Sequence, residues 1–139
     1  MSTVPAVKAA LVALFAGNLP GAQVLYGPRG PLVGPSIVEV GDVSGTVEQA
    51  SLNAARVTER YVVEVIVSCT IDGPDVQQDA TEAALALYGS AEVLVRSTDL
   101  GVPGVVAHST GEFELAETAM AAGRNAAIRW GVAVHANSN

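Results

Sequence analysis

The sequence predicts an α+β fold, an antiparallel or mixed β-sheet with two main helices packed on one face. Three observations lead there. Two long segments, 56–71 and 124–136, alternate apolar and polar residues with the period of a strand. Two others, 5–16 and 76–96, repeat their apolar residues every three or four positions. The chain is 139 residues long and half hydrophobic, yet only 4 % aromatic, so a single domain over 1–139 builds its core from Val, Leu, Ile and Ala. A fold of this length hides roughly 68–70 % of its unfolded surface and needs no covalent staple.

The elements follow in order. Pro5 suits a first helical turn, where its missing N–H costs nothing. Val4, Val7, Leu11, Leu14 and Phe15 then mark an apolar stripe that Gly17-Asn18 ends. This spacing favours a lasting helix over a cleaved secretion signal, and the stretch is too short to span a bilayer. Gln23–Tyr26 and Ser36–Val40 read as short strands, separated by proline- and glycine-rich turn chemistry from Gly27 to Pro35. Gly41 to Ala55 reads as a long loop of small polar residues, a kind of segment that is usually functional.

The strongest strand comes next. Val57, Glu59, Tyr61, Val63, Val65, Val67, Cys69 and Ile71 form one face, apolar except for Glu59. The opposite face is mixed: it starts with charges at Arg56 and Arg60 and then carries Val62 and Ile66, which suggests partial cover by something else. Asp75 and Gln78 have the spacing of a capping box at the start of the second helix. Its stripe is Val76, Ala80, Ala83, Leu87, Ala91 and Leu94, opposite Gln77, Asp79, Glu82, Glu92 and Arg96, with a kink possible at Gly89 and an end at Asp99-Leu100-Gly101. Gly111–Thr118 and Arg124–Ala136 are the last strands, with Ala126, Ile128, Trp130, Val132 and Val134 on one side of the latter, and 136–139 reads as a polar tail.

Composition narrows function. Charged residues are 15 % of the chain, against about 25 % in ordinary soluble domains, which points to surface that another protein covers. The formal net charge of −7 lacks the basic footprint of nucleic-acid binding or of an anionic membrane surface. The single cysteine, Cys69, lies in an apolar run and reads as a small buried hydrophobe rather than a nucleophile. No phosphate loop, nucleophile elbow or dinucleotide fingerprint is present, so no catalytic residue, cofactor or metal ligand is assigned and no enzymatic activity is expected. His108 adjoins Ser109 and Thr110, but neighbours on a strand point to opposite faces. Glu112, Glu114 and Thr118 share a strand face that reads as a solvated edge.

In sequence order, four stretches resemble the tail-terminator proteins of long-tailed bacteriophages, a family that in loose usage includes minor tail and tail-completion proteins. They are an Ala/Leu-rich first helix leading to Val24-Leu25-Tyr26-Gly27-Pro28, the strand Glu59-Arg60-Tyr61-Val62-Val63-Glu64-Val65, the helix segment Ala80-Thr81-Glu82-Ala83-Ala84-Leu85-Ala86-Leu87, and Gly123-Arg124 through Val134. The segment 41–55 departs from the family in carrying only Asp42 and Glu48 as charges. The resemblance implies a structural protein, made in the bacterial host cytoplasm and carried in the virion neck. It would form a homohexameric ring that ends tail-tube polymerisation and joins the tail to the head-completion or connector protein. Its partners would be itself, the major tail tube protein and that head protein, with no membrane. DNA would pass through without sequence-specific binding, repelled by an acidic bore in a ring whose total charge is six times the −7 of one chain. The residues expected at subunit or tube interfaces are Glu48, Gln49, Asn53, Arg56, Arg60, Val62, Ile66, Arg124 and Arg129. Two other readings stay open at this point: a head-closure or connector protein of the same neck, and a small ligand-binding or enzymatic α/β sandwich with a pocket near Tyr61, His108 and Trp130.

Overall fold

Helix α1 (Val4–Asn18) begins where the sequence places a proline in the first turn, and it turns one apolar stripe inward through Val7, Leu11 and Phe15. It is followed by strands β1 (Gln23–Tyr26), β2 (Ser36–Gln49) and β3 (Val57–Asp72), helix α2 (Gln77–Ser97), and strands β4 (Val105–Ala119) and β5 (Gly123–Ser138). These elements come from a computed structural model, which describes residues 2–27, 35–49 and 57–138. The five strands form one sheet in the order β1-β2-β3-β5-β4. Only the β1–β2 pair is parallel; the other three pairs are antiparallel.

The two alternating segments become the two central neighbours, β3 and β5, paired without interruption from Val57–Ser138 to Asp72–Gly123. Period-two alternation sends Tyr61, Val63, Val65, Val67 and Cys69 of β3, and Ala126, Ile128, Trp130, Val132, Val134 and Ala136 of β5, to the same side. The buried residues of α1 and of α2 (Ala80, Ala84, Ala91 and Val95) join them in one core, so both helices lie on one face. Each large aliphatic side chain buried there contributes roughly 1.5–3 kcal/mol. Trp130 is the hinge pin between layers: its ring meets Phe15 of α1 at 6.5 Å and Tyr88 of α2 at 5.5 Å, both edge-on.

Three local readings of the sequence are corrected here. The segment read as a loop from Gly41 to Ala55 is strand as far as Gln49, while 50–56 lie outside the described residues, as do residues 28–34 of the turn-rich stretch. The partner of Val40 is Val65 and that of Val43 is Val63, so one extra residue on β2 forms a bulge that shifts the inward positions from even to odd numbers. Beyond it, Gly45 crosses β3 so closely that a Cβ would lie 2.3 Å from both the Arg60 carbonyl oxygen and Tyr61 Cβ. Gly45→Val is therefore expected to destabilise the fold by about 1–3 kcal/mol, read from the urea midpoint, because backbone must move to admit it.

The presumed polar tail is the end of β5. Ala136 is fully buried between Glu59 and Val105, and the strand runs to Ser138. Finally, α2 starts at Gln77 after Val76, with no side-chain capping bond, so Asp75 and Gln78 do not form the expected box. Gln78 instead donates to Glu82 at 3.0 Å. Gly101 does take the left-handed conformation, φ 73°, but four residues past the end of α2 at Ser97, in a turn closed by its N–H on Asp99 Oδ1.

Candidate functional site

The helices leave the other face of the sheet to its own side chains. Arg60, Val62, Glu64 and Ile66 of β3 point there, alternating with the buried set. Register places His135, Ala133, Gly131 and Arg129 of β5 beside them in that order. On β2, Thr46 and Ser44 pair with Arg60 and Val62. On the far side, His108 and Glu114 of β4 pair with Ala133 and Arg129. Val62 is 37 % exposed, Arg60 and Arg129 are exposed and Ile66 is half-buried. No described element packs over this half of the face. Towards the β1 end the same face closes, with Ile37, Glu39 and Ser68 buried.

The open half has relief and polarity. A shallow hollow of about 460 Å³ is bordered by Asp42, Glu64, Glu112, Glu114 and Arg129. A second, of about 420 Å³, is bordered by Arg60, Val62, His108 and His135. Ser44 and Val62 border both hollows, and Gly131 lines the first against Val62: a Cβ there would lie 2.7 Å from Val62 Cγ1 and 3.1 Å from Thr110 Cγ2. Arg129 Nε reaches Glu64 Oε1 at 3.6 Å, with both side chains partly in solvent. An exposed pair of this kind contributes at most about 1 kcal/mol and leaves both groups free to exchange partners. The face is thus apolar at its middle and charged around it, the arrangement of a protein-binding patch.

Of the residues expected at an interface, Arg60, Val62, Ile66 and Arg129 share this face. Glu48 is exposed opposite Thr58, near the end of β2, and Gln49 pairs with Val57. Arg124 is separated from Arg129 by the alternation of β5: it pairs with Ile71 and Ala119 on the helix-bearing parity, and its Nη1 donates to the Gly123 carbonyl at 2.9 Å. Asn53 and Arg56 lie outside the described residues. The three residues imagined around one pocket between sheet and helices do not share one: Tyr61 and His108 border the second hollow and Trp130 the first, while the Tyr61 and Trp130 side chains are buried on the helix side. Glu112, Glu114 and Thr118 are exposed on the edge strand β4. Strand alternation alone sets Glu64 beside Arg60, Val62 and Ile66, and His135 beside Arg129, but it does not join the two strands or bring Asp42 and His108 to them; the strand register, which pairs Val57 with Ser138 and Asp72 with Gly123, was the missing information.

The one carboxylate on the apolar side of β3 has a structural role. Glu59 is 3 % exposed and sits at the start of α1. Its Oε1 accepts from the Thr3 backbone N–H at 2.7 Å and Thr3 Oγ1 at 2.9 Å, and Oε2 accepts from Ser2 Oγ at 2.6 Å. Burial alone pushes this carboxyl up, but the bonds from Ser2 and Thr3 outweigh it and hold the carboxyl below its ordinary value. Tyr61 OH shares Thr3 Oγ1 at 2.9 Å, and its phenol is pushed up, first by burial. A carboxylate from the sheet therefore supplies the cap that α1 lacks locally.

Burial likewise pushes the Cys69 thiol up, partly offset by Ser36 Oγ at 3.8 Å. The expected outcome is a thiol that a maleimide labels only after denaturant is added; labelling at the rate of a free thiol in buffer would contradict its placement. Among the described residues no group of three His, Cys, Asp or Glu is placed to hold a metal, and no helix is long and apolar enough to cross a membrane.

No family model matches the chain, and no curated protein matches it. Among solved structures, its fold is similar to that of a chain in the virion of a native gene transfer agent particle, with a TM-score of 0.64 and 16 % identity. The match covers 99 % of this chain and 98 % of that one, so the likeness takes in the whole arrangement of two helices and five strands.

Proposed function

We propose that this protein is a structural component of a virion. In this reading the whole chain is one domain, and six copies form a ring at the head-proximal end of a phage tail tube. The ring ends tube polymerisation and joins the tail to the head-completion or connector protein. The observation that carries the reading is the end-to-end fold likeness to a chain housed in a virion particle. The open sheet face, apolar at Val62 and ringed by charges, supports it as a surface other subunits would cover. The low charge content supports it too. Arg60, Val62, Ile66 and Arg129 would meet a neighbouring subunit or the tube, Glu48, Gln49, Asn53 and Arg56 would border those contacts, and Arg124, on the helix-bearing side of β5, would make a separate contact. The chain would work without a cofactor or a catalytic step.

Mass photometry tests this with the protein mixed with its cognate tail tube protein. The expected result is a species six times the 14.1 kDa chain mass, bound to tube ends. A chain that binds no tail component at micromolar concentration would remove the reading.

A further inference from the structure

The side of α2 turned away from the sheet carries a second apolar surface. Leu85 is 41 % exposed and Val93 47 % exposed, and between them Gly89 opens a groove of about 600 Å³ whose floor is completed by Leu19 and Leu94. Gly89 is unexplained by the fold of one chain. It sits inside a 21-residue helix, where glycine is the weakest choice after proline, and a Cβ added there would meet nothing within 4 Å. Nothing among the described residues needs that position to be bare.

The residues around Gly89 are arranged symmetrically. Leu85 lies four residues before it and Val93 four after; Glu82 lies seven before and Arg96 seven after. At 3.6 residues per turn all of these share one strip of the helix. We infer that this strip is the contact between two copies of the chain, whose α2 helices cross antiparallel at Gly89. A two-fold axis through Gly89 sets Leu85 against the partner copy's valine at 93, and Glu82 against the arginine at 96, each contact made twice. The absent side chains at the crossing let the backbones approach, and the apolar pairs fill the groove on either side.

The charges fit the pairing and disfavour the alternative. Arg96 Nε and Nη2 hold Glu92 of their own helix at 3.0 and 3.1 Å, which fixes the guanidinium along the helix and leaves its remaining donors to a carboxylate arriving from outside. Glu82 is steadied at the other end by Gln78. Parallel pairing would set glutamate against glutamate and arginine against arginine. This contact lies on the helix side of the molecule and does not depend on the ring reading.

Sedimentation velocity of the free chain over a concentration series tests the pairing. The wild type is expected to pass from monomer to dimer. Glu82→Arg and Arg96→Glu, each placing like charges together twice, are expected to weaken the dimer roughly tenfold or more. The double variant with both changes restores opposite charges and is expected to recover dimerisation to within a few-fold of wild type. Gly89→Gln is expected to melt no lower than wild type, since the helix gains a better former, and to lose the dimer. Val62→Asp on the sheet face is expected to leave it intact, which separates this contact from ring assembly. A wild type that stays monomeric throughout, a double reversal without recovery, or a Gly89→Gln chain that still dimerises would overturn the inference.

Discussion

Replacing Glu59 with alanine is expected to destabilise the fold by about 2–3 kcal/mol, lowering the melting temperature by roughly 10 °C. The carboxylate accepts three hydrogen bonds from Ser2 and Thr3 and so ties the start of α1 to the sheet, with the Tyr61 hydroxyl as a second, single contact to Thr3 Oγ1. Removing it leaves the Thr3 N–H and the Ser2 hydroxyl without this acceptor and the positive end of the helix facing a cavity. The effect depends on pH with a definite sign. Because the folded state holds this carboxyl below its ordinary value of 4.5, its stabilisation is fully present above that value and is lost as the pH falls through the lowered one. Urea denaturation of the wild type between pH 6 and 3 should therefore show an acid limb that Glu59→Gln flattens. An unchanged slope in the glutamine variant would show that other carboxylates carry the acid sensitivity.

The second large effect belongs to assembly. Val62→Asp is expected to cost the folded monomer about 1 kcal/mol, because the position is 37 % exposed and opposite Ala133 and Ser44. In the proposed ring, where Val62 would meet a neighbouring subunit or the tube, the same change would bury a carboxylate at that contact, beside Glu64 and Asp42. Each contact is expected to weaken by more than tenfold, and a closed ring repeats that loss at every subunit. Circular dichroism that matches wild type, together with loss of tube-end binding, is the expected pair of results. Retained binding would move the interface elsewhere on the molecule.

The sequence exposed the centre of this fold better than its edges. β3 and β5 were legible because each is packed on one side only, which imposes strict alternation on Tyr61 to Cys69 and on Ala126 to Val134. β2 was not. Its inward residues Val38 and Val40 fall out of step with Val43 after the bulge, and Gly41 and Gly45 imitate loop chemistry, although Gly45 serves a close crossing of β3. The end of β5 was mistaken for a tail because Ala136-Asn137-Ser138 is polar in composition, although Ala136 is covered on both sides by neighbouring strands. In α2, Ala84 and Val95 are buried rather than Val76, a rotation of the stripe that small alanines on every side conceal. Of the interaction face, the mixed pattern Arg60-Val62-Ile66 was visible, and so was the oddity of Glu59. What joins Arg60 to His135 and Glu64 to Arg129 is the strand register, which rests on pairing across a long separation in sequence.

The most direct test is electron microscopy of tail tubes polymerised from cognate tube protein with and without this chain. With it, tubes are expected to stop growing and to carry a six-fold ring at one end, with the Val62 face against a neighbouring subunit or the tube. Tubes of undiminished length with bare ends, at a saturating concentration of the folded chain, would contradict the account.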